Sequence, residues 1–125
     1  MSGAPIAVDT VAAARAMRGE LRARAEEIER ARRIPADLST SFARAGFFRM
    51  CVPLVYGGLE LPPADTMYTI ETLAQADGSS AWCVFIGATS GTVLALLPPD
   101  SARAIFSGPE VLLGGVFAPR GKAVA

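Results

Sequence analysis

Between Asp77 and Asp100 the chain reads DGSSAWCVFIGATSGTVLALLPPD, a run from Gly78 to Pro99 without a charged side chain. Its apolar residues fall on every face of a helical wheel, so a helix formed here is expected to be surrounded on all sides. A protein interior and a bilayer both provide that environment, and the length alone satisfies the rule for a membrane span. The composition favours the interior. Gly87, Thr89, Ser90, Gly91 and Thr92 place small and hydroxyl-bearing residues at the centre, and the flanks lack the Lys/Arg clusters and Trp/Tyr belts of a spanning helix. Gly87 and Gly91 share a helical face with Ser90 and Thr92 near its edges, leaving a strip open either to tight packing of another backbone or to a flat ligand.

The 125 residues make one domain with a sizeable core. Twelve basic and twelve acidic residues cancel, so no global field attracts nucleic acid or an anionic membrane, and neither is expected as a partner. MSGAPIAVDT has no basic segment followed by an apolar one, which predicts a cytoplasmic protein. Cys51 and Cys83, the only cysteines, are far apart among apolar neighbours and read as reduced structural thiols. The sequence contains no histidine, which excludes a Ser-His-Asp or Cys-His pair and an imidazole base or zinc ligand from this chain. No metal site is expected, and there is no P-loop or GxGxxG run. The carboxylates near apolar segments are Glu60, Asp65, Glu71, Asp77, Asp100 and Glu110. Asp65 and Asp100 have a structural explanation in the first turns of helices that begin after Pro62 and Pro98. No catalytic residue is assigned within the chain.

From Asp9 to Arg33 the spacing of Val11, Ala14, Met17, Leu21, Ala25 and Ile28 predicts one amphipathic helix, with Glu20/Arg24, Glu26/Arg30 and Glu29/Arg33 as pairs one turn apart. Its arginines are interleaved with glutamates, which reads as a solvated face. Ile34-Pro35 interrupts it. A short helix over Pro35–Ala45 follows, stopped by Gly46 in a left-handed cap with Phe47 against Phe42. MCVPLVYGGLELPP has no helical period and predicts an extended loop crossing the surface. A third helix over Pro63–Ala76 is expected to bury Met67, Ile70, Leu73 and Ala74, after which Asp77 or Ser79 caps the central helix. That helix is expected over Ser80–Leu97, followed by a short one over Asp100–Ser107. Val111 to Phe117 reads as extended, followed by a turn at Ala118–Lys122 and the start of a strand.

The linked elements RIPADL, ARAGFFRMCVPLVYGGLEL, ETLAQADGSSAWCVF and LLPPDSARAIF resemble the N-terminal helical domain of the acyl-CoA dehydrogenase superfamily, and within it the branch of two-component flavin-dependent monooxygenases. The resemblance implies an all-α fold, an orthogonal or up-down bundle of four to five helices with a short extended C-terminal segment. Residues 1–118 would form that domain, and residues 119–125 the truncated start of a β domain. It further implies a flavin-dependent oxidoreductase, using FAD or FMN held mostly by the β and C-terminal domains of longer family members. Its chemistry would be desaturation of an acyl-CoA or oxygenation of a small aromatic or polycyclic substrate, with a flavin reductase as partner in the second case. This chain would be inactive alone and a homo-oligomer, tetrameric when full length.

In the family the helix matching Ser80–Leu97 borders the substrate cavity. The resemblance therefore makes Trp82, Phe85, Ile86, Thr89 and Ser90 the candidate substrate-binding residues, and Tyr56 structural. Aryl hydroxylases of the branch often carry a histidine where this chain has Ser90. A reading from the residues without the resemblance is a non-catalytic helical module for oligomerisation or partner binding.

Overall fold

A computed structural model describes residues 8–115, 118 and 120–124. Among them are six α-helices, at Thr10–Ala23 (α1), Ala25–Ala31 (α2), Ala36–Arg44 (α3), Pro63–Ala74 (α4), Gly78–Ser90 (α5) and Pro99–Ile105 (α6), three 3₁₀ segments, and no strand. The all-α expectation holds. Val116, Phe117, Pro119 and Ala125, within the segment expected to be extended or to turn into a strand, lie outside the described residues.

The expected first helix is two. Asp9 caps α1 by accepting from Ala12 N–H at 2.9 Å. At Arg24 the backbone leaves helical geometry (φ −104°, ψ 5°), although Arg24 N–H still reaches the Glu20 carbonyl and its own carbonyl accepts from Ile28. The guanidinium of Arg24 gathers Glu27 (2.7 Å), Glu20 (3.3 Å) and Asp37 of α3 (2.5 and 3.1 Å). The helix bends where one cation holds three carboxylates from both of its halves and from its neighbour. Arg32, left-handed at φ 52°, ends α2 before the proline. Arg33 therefore lies beyond the helix, and the Glu29/Arg33 pair does not form among the described residues, whereas Glu20/Arg24 and Glu26/Arg30 do.

Gly46 stops α3 as predicted, with φ 81°, its N–H on the Ala43 carbonyl and the Phe42 and Phe47 rings 5.7 Å apart. The following segment is not a surface-crossing loop. It folds back on itself: Leu59, Glu60 and Leu61 N–H donate to the carbonyls of Arg49, Val52 and Met50, and Leu54–Tyr56 forms a 3₁₀ turn. Met50, Val52 and Gly58 are buried within it. Doubling back satisfies the backbone of a segment with too little periodicity for a helix.

α4 lies between α1 and α5 and packs on both. Its inward face is Thr66, Thr69, Ile70 and Leu73, whereas Met67, 54% exposed, and Ala74 face outward. Ile70 and Leu73 are buried as expected, and the other two inward positions go to Thr66 and Thr69 in place of Met67 and Ala74. Thr69 donates to the Asp65 carbonyl at 2.9 Å and its oxygen lies 2.8 Å from the Thr10 hydroxyl across the α1–α4 contact.

Asp77, not Ser79, caps α5, accepting from Ser80 N–H at 2.7 Å and from the Ser79 hydroxyl at 2.8 Å. The central helix is shorter than expected. Regular α geometry ends at Ser90, and Gly91–Leu96 tightens into 3₁₀. Nor is it surrounded. Gly78–Leu96 is long and apolar enough by length and composition to cross a membrane, yet only part of it is inside the fold. Ser80, Ala81, Val84, Gly87 and Ala88 are buried, while Trp82 is 63% and Leu96 83% exposed.

The interior has two clusters. The larger joins α1 to α5 through Leu21, Leu38, Phe42, Phe47 and Leu73, and the smaller gathers Val52, Leu94, Ala102 and Phe106, with Val111 and Leu113 against it.

Candidate functional site

The less buried face of α5 carries Trp82, Phe85, Ile86, Thr89 and Ser90, the residues expected to bind substrate. The structure divides them. Ile86, Thr89 and Ser90 line one cavity of about 450 Å³. Trp82 and Phe85 do not line it; their rings lie against each other, centroids 5.6 Å apart and planes tilted by 45°, one turn nearer the N-terminus of the helix.

The cavity is completed by Thr92, Val93 and Leu94 of the 3₁₀ segment, Leu97 just after it, Ile105 of α6, and Leu113, Gly114 and Gly115 of the final segment. Sequence reasoning did not assign these residues to the site. The 3₁₀ segment was expected to continue a helix, and Ile105 and Leu113 come from elements whose position beside α5 no local pattern encodes.

The Gly87/Gly91 strip is not the ligand surface. A Cβ on Gly87 would lie 2.2 Å from Leu112 Cδ1 and 3.0 Å from Phe48 Cδ1, and one on Gly91 would lie 2.6 Å from Val52 Cγ2. The strip is filled by side chains of the chain itself, which settles its two readings for close packing. The cavity lies beside it, on the hydroxyl-bearing edge.

Every side chain around the cavity is uncharged. Thr89 donates its hydroxyl proton to the Phe85 carbonyl at 2.7 Å, and Thr92 to the Thr89 carbonyl at 2.8 Å. These bonds fix both side chains against their own helix turns. The nearest shifted groups lie towards the start of α5. Burial and the Asp77 charge push the Cys83 thiol up, which leaves it protonated and weakly nucleophilic at neutral pH. Burial would raise the Asp77 carboxyl, but hydrogen bonds from Ser80 and Ser79 hold it below the usual range. No group of three or more metal-ligating side chains occurs among the described residues.

Tyr56 lies outside the cavity, with the Arg103 guanidinium 5.8 Å above its ring. That contact ties the doubled-back segment to α6.

The helix order, the doubled-back VPLVYGG segment and the half-exposed α5 define a helical domain that presents one apolar side. Residues 10–98 match the N-terminal domain of acyl-CoA dehydrogenases, and the chain belongs to that family. Its similar proteins are flavin-dependent monooxygenases. It is 39% identical over 101 residues to an indole-3-acetate monooxygenase of Pseudomonas putida, covering 79% of this chain and 26% of that protein. It is 31% identical over 102 residues to the oxygenase subunit of a flavin-dependent monooxygenase of Rhodococcus jostii, covering 81% and 27%. It is 31% identical over 99 residues to the oxygenase component of a p-hydroxyphenylacetate 3-hydroxylase of Acinetobacter baumannii, covering 78% and 24%. The chain thus spans about a quarter of the length of these relatives.

These relatives imply a flavin, and the cavity does not fit a whole one. FAD and FMN carry phosphate, and among the described residues no cationic side chain lines the cavity to receive it. Its neutral walls suit an uncharged ring.

Proposed function

We propose that this chain is the domain forming one wall of the substrate pocket in the oxygenase component of a flavin-dependent monooxygenase acting on small aromatic compounds. The observation that carries the reading is the uncharged cavity of about 450 Å³ along Ile86, Thr89 and Ser90, on a chain of this family whose relatives are named for aromatic substrates. A cavity of that size, apolar with few polar groups, suits a one- or two-ring molecule.

Within this wall Ile86, Val93, Leu97 and Ile105 supply apolar contact to a ring, and the hydroxyls orient it. The flavin and the residues that hold its phosphate belong to the rest of the protein, and when bound the reduced flavin supplies the electrons for dioxygen activation. A reductase that delivers reduced flavin is the partner this reading requires. Desaturation of an acyl-CoA is the less supported chemistry, since the similar proteins are monooxygenases.

The test is replacement of Thr89 by Leu in the full-length oxygenase. Filling the cavity is expected to raise KM for the aromatic substrate at least tenfold while bound flavin per subunit stays unchanged. Loss of flavin with normal turnover per remaining flavin would place this helix on the cofactor side and overturn the reading.

A further inference from the structure

The geometry points to Leu112 as a positioning residue for the pocket: seated in a notch that is open only because residue 87 is glycine, it ties the final segment to α5 as one wall of the cavity. The inference rests on the substrate-wall reading and adds to it a residue that does not itself line the cavity. A Cβ on Gly87 would overlap Leu112 Cδ1 and lie 3.0 Å from Phe48 Cδ1. The Leu112 methyl therefore occupies the space that any other residue at 87 would fill. Phe48 is buried, with its ring edge-on to Phe42 at 6.4 Å, so its side of the notch belongs to the packed core and yields little.

Little else holds this wall. Within Val111–Gly115 the only backbone hydrogen bond among the described residues runs from Val111 N–H to the Gly108 carbonyl, at 3.3 Å. The segment is neither helix nor strand, so side chains must fix it. Val111 and Leu113 rest on the cluster of Val52, Leu94, Ala102 and Phe106, and Leu112, between them, reaches α5 at Gly87. The three residues after it, Leu113, Gly114 and Gly115, line the cavity together with Ile86, Thr89 and Ser90 of α5. The two glycines have no side chain to anchor their own backbone. Leu112 is 51% exposed, so what it contributes lies in the one methyl seated in the notch.

Two variants break the tie from opposite sides. Gly87→Ala fills the notch and expels the methyl, and Leu112→Ala withdraws it. The second removes only a half-exposed side chain, so it tests the idea even if Gly87→Ala fails to fold. In the ¹⁵N-labelled 125-residue chain both are expected to lower the heteronuclear NOE of Leu113, Gly114 and Gly115 while leaving that of Ile86 and Thr89 unchanged. In the full-length oxygenase both are expected to weaken binding of indole, used as an uncharged two-ring probe, by about threefold or more, the loss of part of one leucine contact. Leu112→Met, whose terminal methyl can enter the same notch, is expected to keep both readouts near those of the unmodified protein. The double variant Gly87→Ala/Leu112→Ala is expected to be no worse than Leu112→Ala alone, because both changes remove the same contact. Leu113–Gly115 as ordered in Leu112→Ala as before, or losses that add in the double variant, would overturn the tie and leave the wall reading to the Thr89 test. A loosened segment with unchanged indole affinity, or no binding of indole by the unmodified oxygenase, would overturn both.

Discussion

The backbone of Gly58 lies so close to Val52 that a Cβ on the glycine would sit 1.8 Å from the Val52 carbonyl oxygen. That carbonyl also accepts from Glu60 N–H at 3.0 Å, so it cannot move away without loosening the doubled-back segment. Glu60 is itself left-handed at φ 45°, with its carboxylate on Leu54 N–H at 2.8 Å. Gly57 differs: its φ of 80° disfavours a side chain, but nothing stands within 4 Å of its Cβ position. Gly58→Ala is expected to destabilise by roughly 3 kcal/mol or more, through backbone displacement, and Gly57→Ala by about 1 kcal/mol, through strain alone. Chemical denaturation of both variants checks the order, and an equal loss would contradict the steric account.

Placement of α5 predicts a contrast between neighbours. Val84 is fully buried, whereas Ile86 borders the cavity and is half-buried. A carboxylate at position 84 has no route to water, so Val84→Asp is expected to cost several kcal/mol and prevent cooperative folding. Ile86→Asp is expected to be milder, by about 2 kcal/mol or more, because its side chain can reach the cavity opening. Thermal unfolding of the two variants is the measurement.

Trp82, Val93, Leu96 and Leu112 are exposed apolar residues on α5, the segment after it and the final stretch, and exposed apolar patches drive association. The 125-residue chain is expected to self-associate as its concentration rises, and Trp82→Ser with Leu96→Ser to reduce this without lowering the thermal midpoint. Light scattering that finds a monomer for the unmodified chain at high concentration would favour a closed module over a domain with a missing neighbour.

Acid sensitivity follows from Arg24. Its hydrogen bonds hold the Glu27 and Asp37 carboxyls below their ordinary values of 4.5 and 3.8. A lowered folded-state pKa contributes stability that is present above the unfolded value and lost as pH falls through the folded one. The thermal midpoint is therefore expected to be level above about pH 5 and to fall below about pH 4.5. Arg24→Gln removes the cation and is expected to flatten that acid limb. An unchanged pH profile in the variant would show that other carboxylates set it.

Several features were legible in the sequence because they depend on neighbours along the chain. The stop at Gly46 needs only a left-handed residue after α3, and Asp77 can cap α5 because its carboxylate reaches the N–H three residues on. The linked segments from Arg33 to Phe106 identified the family for the same reason: their spacing in sequence is itself the signature. Ile86, Thr89 and Ser90 could be placed on one helix face from that resemblance. Other features depended on partners distant in sequence. Thr69 is buried because Thr10, on another helix, meets its hydroxyl. Arg24, where α1 and α2 part, meets Asp37 of another helix, and Gly87 is filled by Leu112 rather than a ligand. Periodicity records which residues are apolar but not what will face them. The charge-free run could therefore announce a buried helix, and only the packing of α4, Phe48 and the final segment decided that one side is core and the other borders a cavity.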